Sequence, residues 1–213
     1  MSEILTFYLV RHGETLMNRE GIFRGRIDAP LNEAGMKQGV ELGKALSHIK
    51  FDAIYSSPLA RSLATASAIM TANPDNPPVE INESFNNINL GEWQGEPKDV
   101  IAAKYPKLWQ KWVYDPENIE IPGAETFKDI KNRLKAALDE IIKTHNGNIA
   151  IVSHRSILKT LLALFIGLEG PYFWHFHLDN ASYSTVEYSE DRGFTITHLN
   201  VSHYLTDYVQ ERV

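Results

Sequence analysis

Cysteine is absent from all 213 residues, which excludes disulfides, thiolate metal sites and cysteine nucleophiles. Long apolar runs are missing too. The longest, Ile157 to Leu168, is interrupted by Lys159, Thr160 and Gly167 and is too short to span a bilayer. The start, Met1-Ser2-Glu3-Ile4, has neither the basic region nor the apolar stretch of a secretory signal. Nor is positive charge in excess: 21 Lys and Arg face 27 Asp and Glu, a formal net charge of −6. General affinity for nucleic acid or an anionic membrane needs a basic face, so neither partner is expected. A cytoplasmic protein is the expectation. Any cationic pocket in so acidic a chain is a local feature with its own cause.

What is present suffices for a core, with 43% hydrophobic and 23% charged residues, ordinary values for a globular protein. The length suits a single domain over 1–213. Apolar β-type runs recur at Ile4–Val10, Asp52–Tyr55, Ile149–Ser153, Ser182–Tyr188 and Phe194–Leu199. Helical patterns lie between them. Asn32 is placed to cap a helix running toward His48, with Met36, Val40, Leu42, Leu46 and Ile49 near helical spacing. Ser57-Pro58 opens a second helix with a cap and a first-turn proline. Ala124-Glu125-Thr126 leads into a third, and a fourth follows His154. This alternation predicts an α/β fold, a mostly parallel central sheet with helices on both faces. Active sites of such sheets lie beyond the carboxyl ends of the strands.

The stretch from about 73 to 122 breaks the rhythm. It holds prolines 74, 77, 78, 97, 106 and 116, Trp93, Trp109 and Trp112, and short helical pieces at 97–104 and 107–114. It reads as a small inserted cap over the site rather than a second domain.

Three strand ends or helix starts carry chemistry. Leu9-Val10-Arg11-His12-Gly13-Glu14-Thr15 presents an arginine and a histidine at the mouth of a buried strand. Buried arginine is costly unless an anion accompanies it. Next, Ser56-Ser57-Pro58-Leu59-Ala60-Arg61 puts Arg61 in the first turn of its helix. The helix dipole disfavours a cation there, and a bound anion supplies the reason for it. Finally, Ile149 to Arg155 is a second buried strand that ends in a histidine, His154. Packing alone explains two such strand ends poorly.

These segments resemble the histidine phosphatase superfamily, in its phosphoglycerate-mutase-like branch. The likeness is carried by Arg11-His12-Gly13-Glu14-Thr15, by Ser56-Ser57-Pro58-Leu59-Ala60-Arg61 and by Val152-Ser153-His154, in that order. Asp28 to Gly35, Leu90 to Gly95, and Pro122 to Thr126 add to it, and Asp179 to Ser184 is similar to the small metal-independent phosphoserine phosphatases of the branch. The resemblance implies that His12 is the nucleophile and forms a phosphohistidine. It implies that Arg11, Arg61 and His154 surround the phosphoryl group. Asn18 and the backbone N–H of Arg155 match further phosphate contacts, although Asn18 reads equally as a turn residue. Arg24 and Gly25 align with a loop touching the substrate beyond the phosphate. No metal or other cofactor is expected, because arginine supplies the charge. His175 and His177, two apart in a strand-like stretch, are expected to be structural, since no third ligand is evident. The partner implied is a small phosphorylated metabolite, and a homodimer is a family-level expectation.

The chain departs from the family's pattern at the proton donor. The usual glutamate, four residues before the glycine of the Gly-x-Trp-x-Gly segment, is here Asn87, an amide with no transferable proton. Three accounts follow. Glu83 or Glu92 takes over the role, the substrate has a good leaving group, or the chain binds phosphorylated ligands with weak turnover. Arg155, where small residues are common, is either a cation for a second substrate anion or a side chain snorkelling to solvent, and Arg26 shares the former reading with Arg24. A phosphatase is the leading reading, with a phosphoglycerate-type mutase and a phospho-ligand-binding protein as alternatives.

Overall fold

A computed structural model describes residues 4–207. Residues 1–3, on which the signal-sequence reading rests, and 208–213, counted into the one-domain expectation, lie outside the described residues. The sheet has six strands among those described: β1 (Leu5–Arg11), β2 (Phe51–Ser56), β3 (Val79–Ile81), β4 (Asn148–Ser153), β5 (Tyr183–Ser189) and β6 (Gly193–Val201). Their spatial order is β3-β2-β4-β1-β5-β6. The first four are parallel, and β5 and β6 close one edge antiparallel. The helices are α1 (Leu16–Arg19), α2 (Glu33–Leu46), α3 (Ala60–Ala72), α4 (Lys98–Lys104), α5 (Pro106–Tyr114), α6 (Phe127–Thr144) and α7 (Arg155–Phe165).

Alternation along the central strands divides the core. Phe7 and Leu9 of β1, with Ile149 and Ile151 of β4, join Leu134 of α6 and Leu161 of α7 on one face. Val10 and Val152 turn the other way, against Leu42 and Leu46 of α2 and Ile69 of α3. Both faces of the sheet are thus covered, as a mostly parallel sheet requires. Residues 73–122 contribute β3, α4, α5 and single 3-10 turns at Glu83–Phe85, Gly91–Trp93 and Pro116–Asn118. Their aromatic residues knit into the first core: Trp93 packs 5.1 Å from Phe23, and Trp112 packs 5.4 Å from Phe173 between ring centres. Ile22 bridges Pro97, tying this segment to the loop after α1. No helix among the described residues is long and apolar enough to cross a membrane.

The structure corrects several sequence expectations. Asn32 caps α2 through Gly35 N at 2.8 Å, yet Met36 and Val40 are exposed. The inward face of α2 is instead Gly35, Gly39, Leu42, Gly43 and Leu46, because small residues let the backbones of α2 and α3 approach. A Cβ on Gly43 would stand 2.5 Å from Ala68 O. Ser57 does not cap α3, which begins at Ala60 with Leu59 as the uncapped N-cap residue. The strand β3 was not expected. His175 ends a 3-10 turn, Phe173–His175, and His177 lies outside any strand.

One contact ties this packing to the site. Gly13 follows β1 and sits against the first turn of α2, where a Cβ on Gly13 would lie 2.6 Å from Gly35 O, and a Cβ on Gly35 would collide with Glu14 O. Both neighbours are backbone and cannot swing aside. Gly35→Ala is therefore expected to destabilise the protein by about 1–3 kcal/mol through overpacking, measured by urea unfolding. Wild-type stability in that variant would contradict the close approach.

Candidate active site

Strand register brings the two histidines together. Arg11 of β1 pairs with Ser153 of β4, so the next residue of each strand emerges on the same edge of the sheet. His12 N donates to Ser153 O at 3.1 Å, and the rings of His12 and His154 lie 5.1 Å apart. β2 flanks β4, and Ser57 N donates to Val152 O, which delivers the start of α3 to the same edge. Arg61, second residue of α3, reaches inward from there and is fully buried.

Hydrogen bonds fix each group. His12 Nδ1 lies 2.6 Å from Gly13 O. A carbonyl only accepts, so Nδ1 carries the proton and Nε2 keeps its lone pair. The His12 carbonyl is itself held by Ala181 N and by Asn180 Nδ2, each at 3.1 Å. Arg61 donates Nη1 to Ile27 O at 2.7 Å and Nη2 to Gly25 O at 3.0 Å, and Nε to His154 Nδ1 at 3.4 Å. His154 Nδ1 thus accepts, which leaves Nε2–H to donate to Ser57 Oγ at 2.8 Å. Arg11 Nη1 donates to Leu178 O at 2.7 Å.

The electrostatics follow from this crowding of cations. Burial first, then Arg61, Arg11 and Arg24, hold the His12 pKa well below its ordinary value of 6.5. His154 is pushed down in the same way by burial and Arg61, with His12 next. Burial and the neighbouring Arg24 bring Arg61 down to about 9, so it stays charged at neutral pH. A neutral imidazole with a free Nε2, facing fixed positive charge, suits the capture of a phosphoryl group.

A cavity of about 50 Å³ opens over this floor. That is small beside the several hundred Å³ of a typical ligand pocket and suits a phosphoryl group with the remainder of a substrate in the open mouth. Its lining includes His12, Asn18, Arg24, Gly25, Asn87, His154 and Arg155, so these expected residues do meet in one place. Arg11 and Arg61 are not among the lining residues; both are buried, and Arg61 reaches the lining through its hydrogen bonds to Gly25 O and His154 Nδ1. Asn18 has two attachments, because its Oδ1 also closes the capping box of α1 with Thr15 N at 3.0 Å. Arg26 does not join the lining. It pairs with Glu125 at 3.2 Å and donates to Asn87 O. Neither replacement acid is in place either. Glu83 is exposed and accepts from Asn86 Nδ2, and Glu92 is exposed and accepts from Tyr105 Oη. His177 pairs with Asp179 at 2.9 Å, and no cluster of metal-binding side chains occurs among the described residues.

Sequence reasoning missed Lys98, which begins α4 and lines the cavity, since only the fold of 73–122 brings it there. It also missed Asn180 and read Ser57 as a cap. The run Asp179-Asn180-Ala181 was the available signal for the first of these.

The family model of the histidine phosphatase superfamily (branch 1) matches residues 7–202. Phosphoserine phosphatase 1 of Hydrogenobacter thermophilus is 35% identical over 204 residues, 95% of each chain. Among solved structures, the α-ribazole phosphatase of Shigella flexneri superposes with a TM-score of 0.82 at 27% identity, over 92% of this chain and 96% of that one. A phosphoglycerate mutase of Bacillus anthracis shares the fold, with a TM-score of 0.83 at 24% identity over 96% of both chains.

The depressed imidazoles have a consequence for stability. Below pH 6.5 the unfolded chain takes up protons that His12 and His154 refuse in the folded state. Their contribution is therefore full above 6.5 and is lost as pH falls through 6.5 toward their folded values. Unfolding free energies measured between pH 7.5 and 5.5 should decline, and His12→Asn should remove about one proton from that slope. An unaltered slope would show that His12 titrates normally.

Proposed function

The chain belongs to the histidine phosphatase superfamily, and we propose that it is a phosphatase that acts on small phosphorylated metabolites through a phosphohistidine on His12. One observation carries this reading: the neutral His12, with Nδ1 held 2.6 Å from Gly13 O and Nε2 free, among arginines on a floor shared with His154. The similarity to a phosphoserine phosphatase and to an α-ribazole phosphatase supports the substrate class.

The steps follow from the charges present. The phosphoryl group binds where Arg11, Arg61 and His154 meet its equatorial oxygens. Asn18 contributes its amide nitrogen, because its oxygen is committed to Thr15. His12 Nε2 forms the N–P bond as the P–O bond of the substrate breaks, and the departing oxygen keeps the electron pair. The phosphoimidazole retains the Nδ1 proton, which Gly13 O stabilises. Water then attacks phosphorus, the P–N bond breaks, and phosphate leaves with both protons of that water. Residues 73–122 serve as the cap of this site and Arg24 and Gly25 as its substrate-facing loop. A mutase would instead return the phosphoryl group to substrate, and the compact segment between 73 and 122 favours access of water.

Incubation with a panel of phosphorylated metabolites tests the reading. Free phosphate and an acid-labile phosphoenzyme are expected, with little isomerised product, and both are lost in His12→Ala. Arg61→Ala should lower kcat by about 10²–10³, the usual loss for one donor to a developing oxyanion. Phosphate release that survives in His12→Ala would overturn it.

A further inference from the structure

The site is complete for receiving a phosphoryl group and incomplete for protonating what leaves. Among the described residues no aspartate or glutamate lines the cavity. Asn87 stands on its wall, more than nine-tenths buried, with Nδ2 donating to Gly25 O at 2.8 Å and Oδ1 without a hydrogen-bond partner. Two further carboxylates are also engaged elsewhere. Glu14 accepts from Asn32 at 2.7 Å, and Glu125 is held by Arg133 at 2.7 Å. In place of an acid the mouth carries Arg24, Lys98 and Arg155. Side chains of this kind stabilise an anion by charge and hydrogen bonding.

We propose that the preferred substrate is a phosphoryl donor whose leaving group departs as a weakly basic oxyanion, an acyl phosphate or a phosphoanhydride, received by Lys98 and Arg155. The proposal rests on His12 as phosphoryl acceptor. In the first step the N–P bond forms at His12, the bridging P–O bond breaks, and its electron pair stays on a carboxylate or phosphate oxygen. That product is stable at neutral pH unprotonated, so the step balances without an acid. An alkoxide leaving from a serine or sugar ester has no such stability. For it, loss of a general acid typically costs about 10²–10⁴ in rate.

Acetyl phosphate, inorganic pyrophosphate, phosphoserine and glycerol 3-phosphate, given to the purified full-length chain, separate the cases. Acetyl phosphate or pyrophosphate should exceed both alkyl phosphates in kcat/KM by about 10² or more, and the better of the two identifies the leaving anion. Asn87→Glu should narrow that ratio at least tenfold by raising the alkyl phosphates. Lys98→Met should lower kcat/KM for the preferred donor about tenfold while its alkyl phosphate rates fall less. Alkyl phosphates within tenfold of both anhydrides in the wild type would overturn the proposal, even if Asn87→Glu fails to fold. Phosphoenzyme on His12 in that experiment would leave the phosphohistidine reading standing. Its absence with every compound would overturn both.

Discussion

Arg61 is a fully buried cation whose hydrogen-bond partners are two carbonyls and an imidazole, none of them a carboxylate. Burying an unneutralised charge costs several kcal/mol, and the surroundings offset it only in part. Gly25 O and Ile27 O turn inward to accept from it, and the Asp28 charge acts on it from further off. The same Gly25 carbonyl receives the amide of Asn87, so the loop carrying Gly25 and Ile27 and the cavity wall at Asn87 are organised around one guanidinium. In the proposed reaction a phosphate dianion supplies the counter-charge, an arrangement in which stability yields to function.

Burial, and after it that cation, sets the state of the histidines. Two imidazoles 5.1 Å apart would repel if both were charged. Arginines and burial keep both neutral, and the hydrogen bonds choose their tautomers. His12 is protonated on the side of its own loop and bare on the side of the cavity. His154 is turned the other way, accepting from Arg61 and donating to Ser57. The two imidazoles are thereby distinguished by their hydrogen bonds, although their sequence surroundings are alike. The approach of Gly13 to Gly35 holds the first of them in position, and the Asn180 amide holds it from behind.

Much of this could be read from the chain because strand ends are punctuated by chemistry. His12 and His154 each follow an apolar strand and precede a turn or helix, Arg61 opens the helix after a third strand, and parallel pairing then brings them to one edge. Other features were hidden for physical reasons. Met36 and Val40 fit the helical period of a buried face, but period alone does not say that a stripe of glycines packs closer than a stripe of large residues. Ser57 precedes Pro58 as a cap would, yet its hydroxyl is taken by His154, and α3 begins uncapped. Lys98 looks like an ordinary surface lysine until α4 folds over the site. Asn87 was visible as a missing acid, whereas the remoteness of Glu83 and Glu92 depended on where their side chains turn.

The central claim is that the buried Arg61, hydrogen-bonded to the lining residues Gly25 and His154, makes the cavity an anion site before any chemistry occurs. Calorimetric titration with orthovanadate, on wild type and on Arg61→Met, tests it most directly. The account predicts a saturable site in the wild type and at least tenfold weaker binding in the variant, corresponding to about 1.4 kcal/mol. Equal affinity in the two proteins would contradict it.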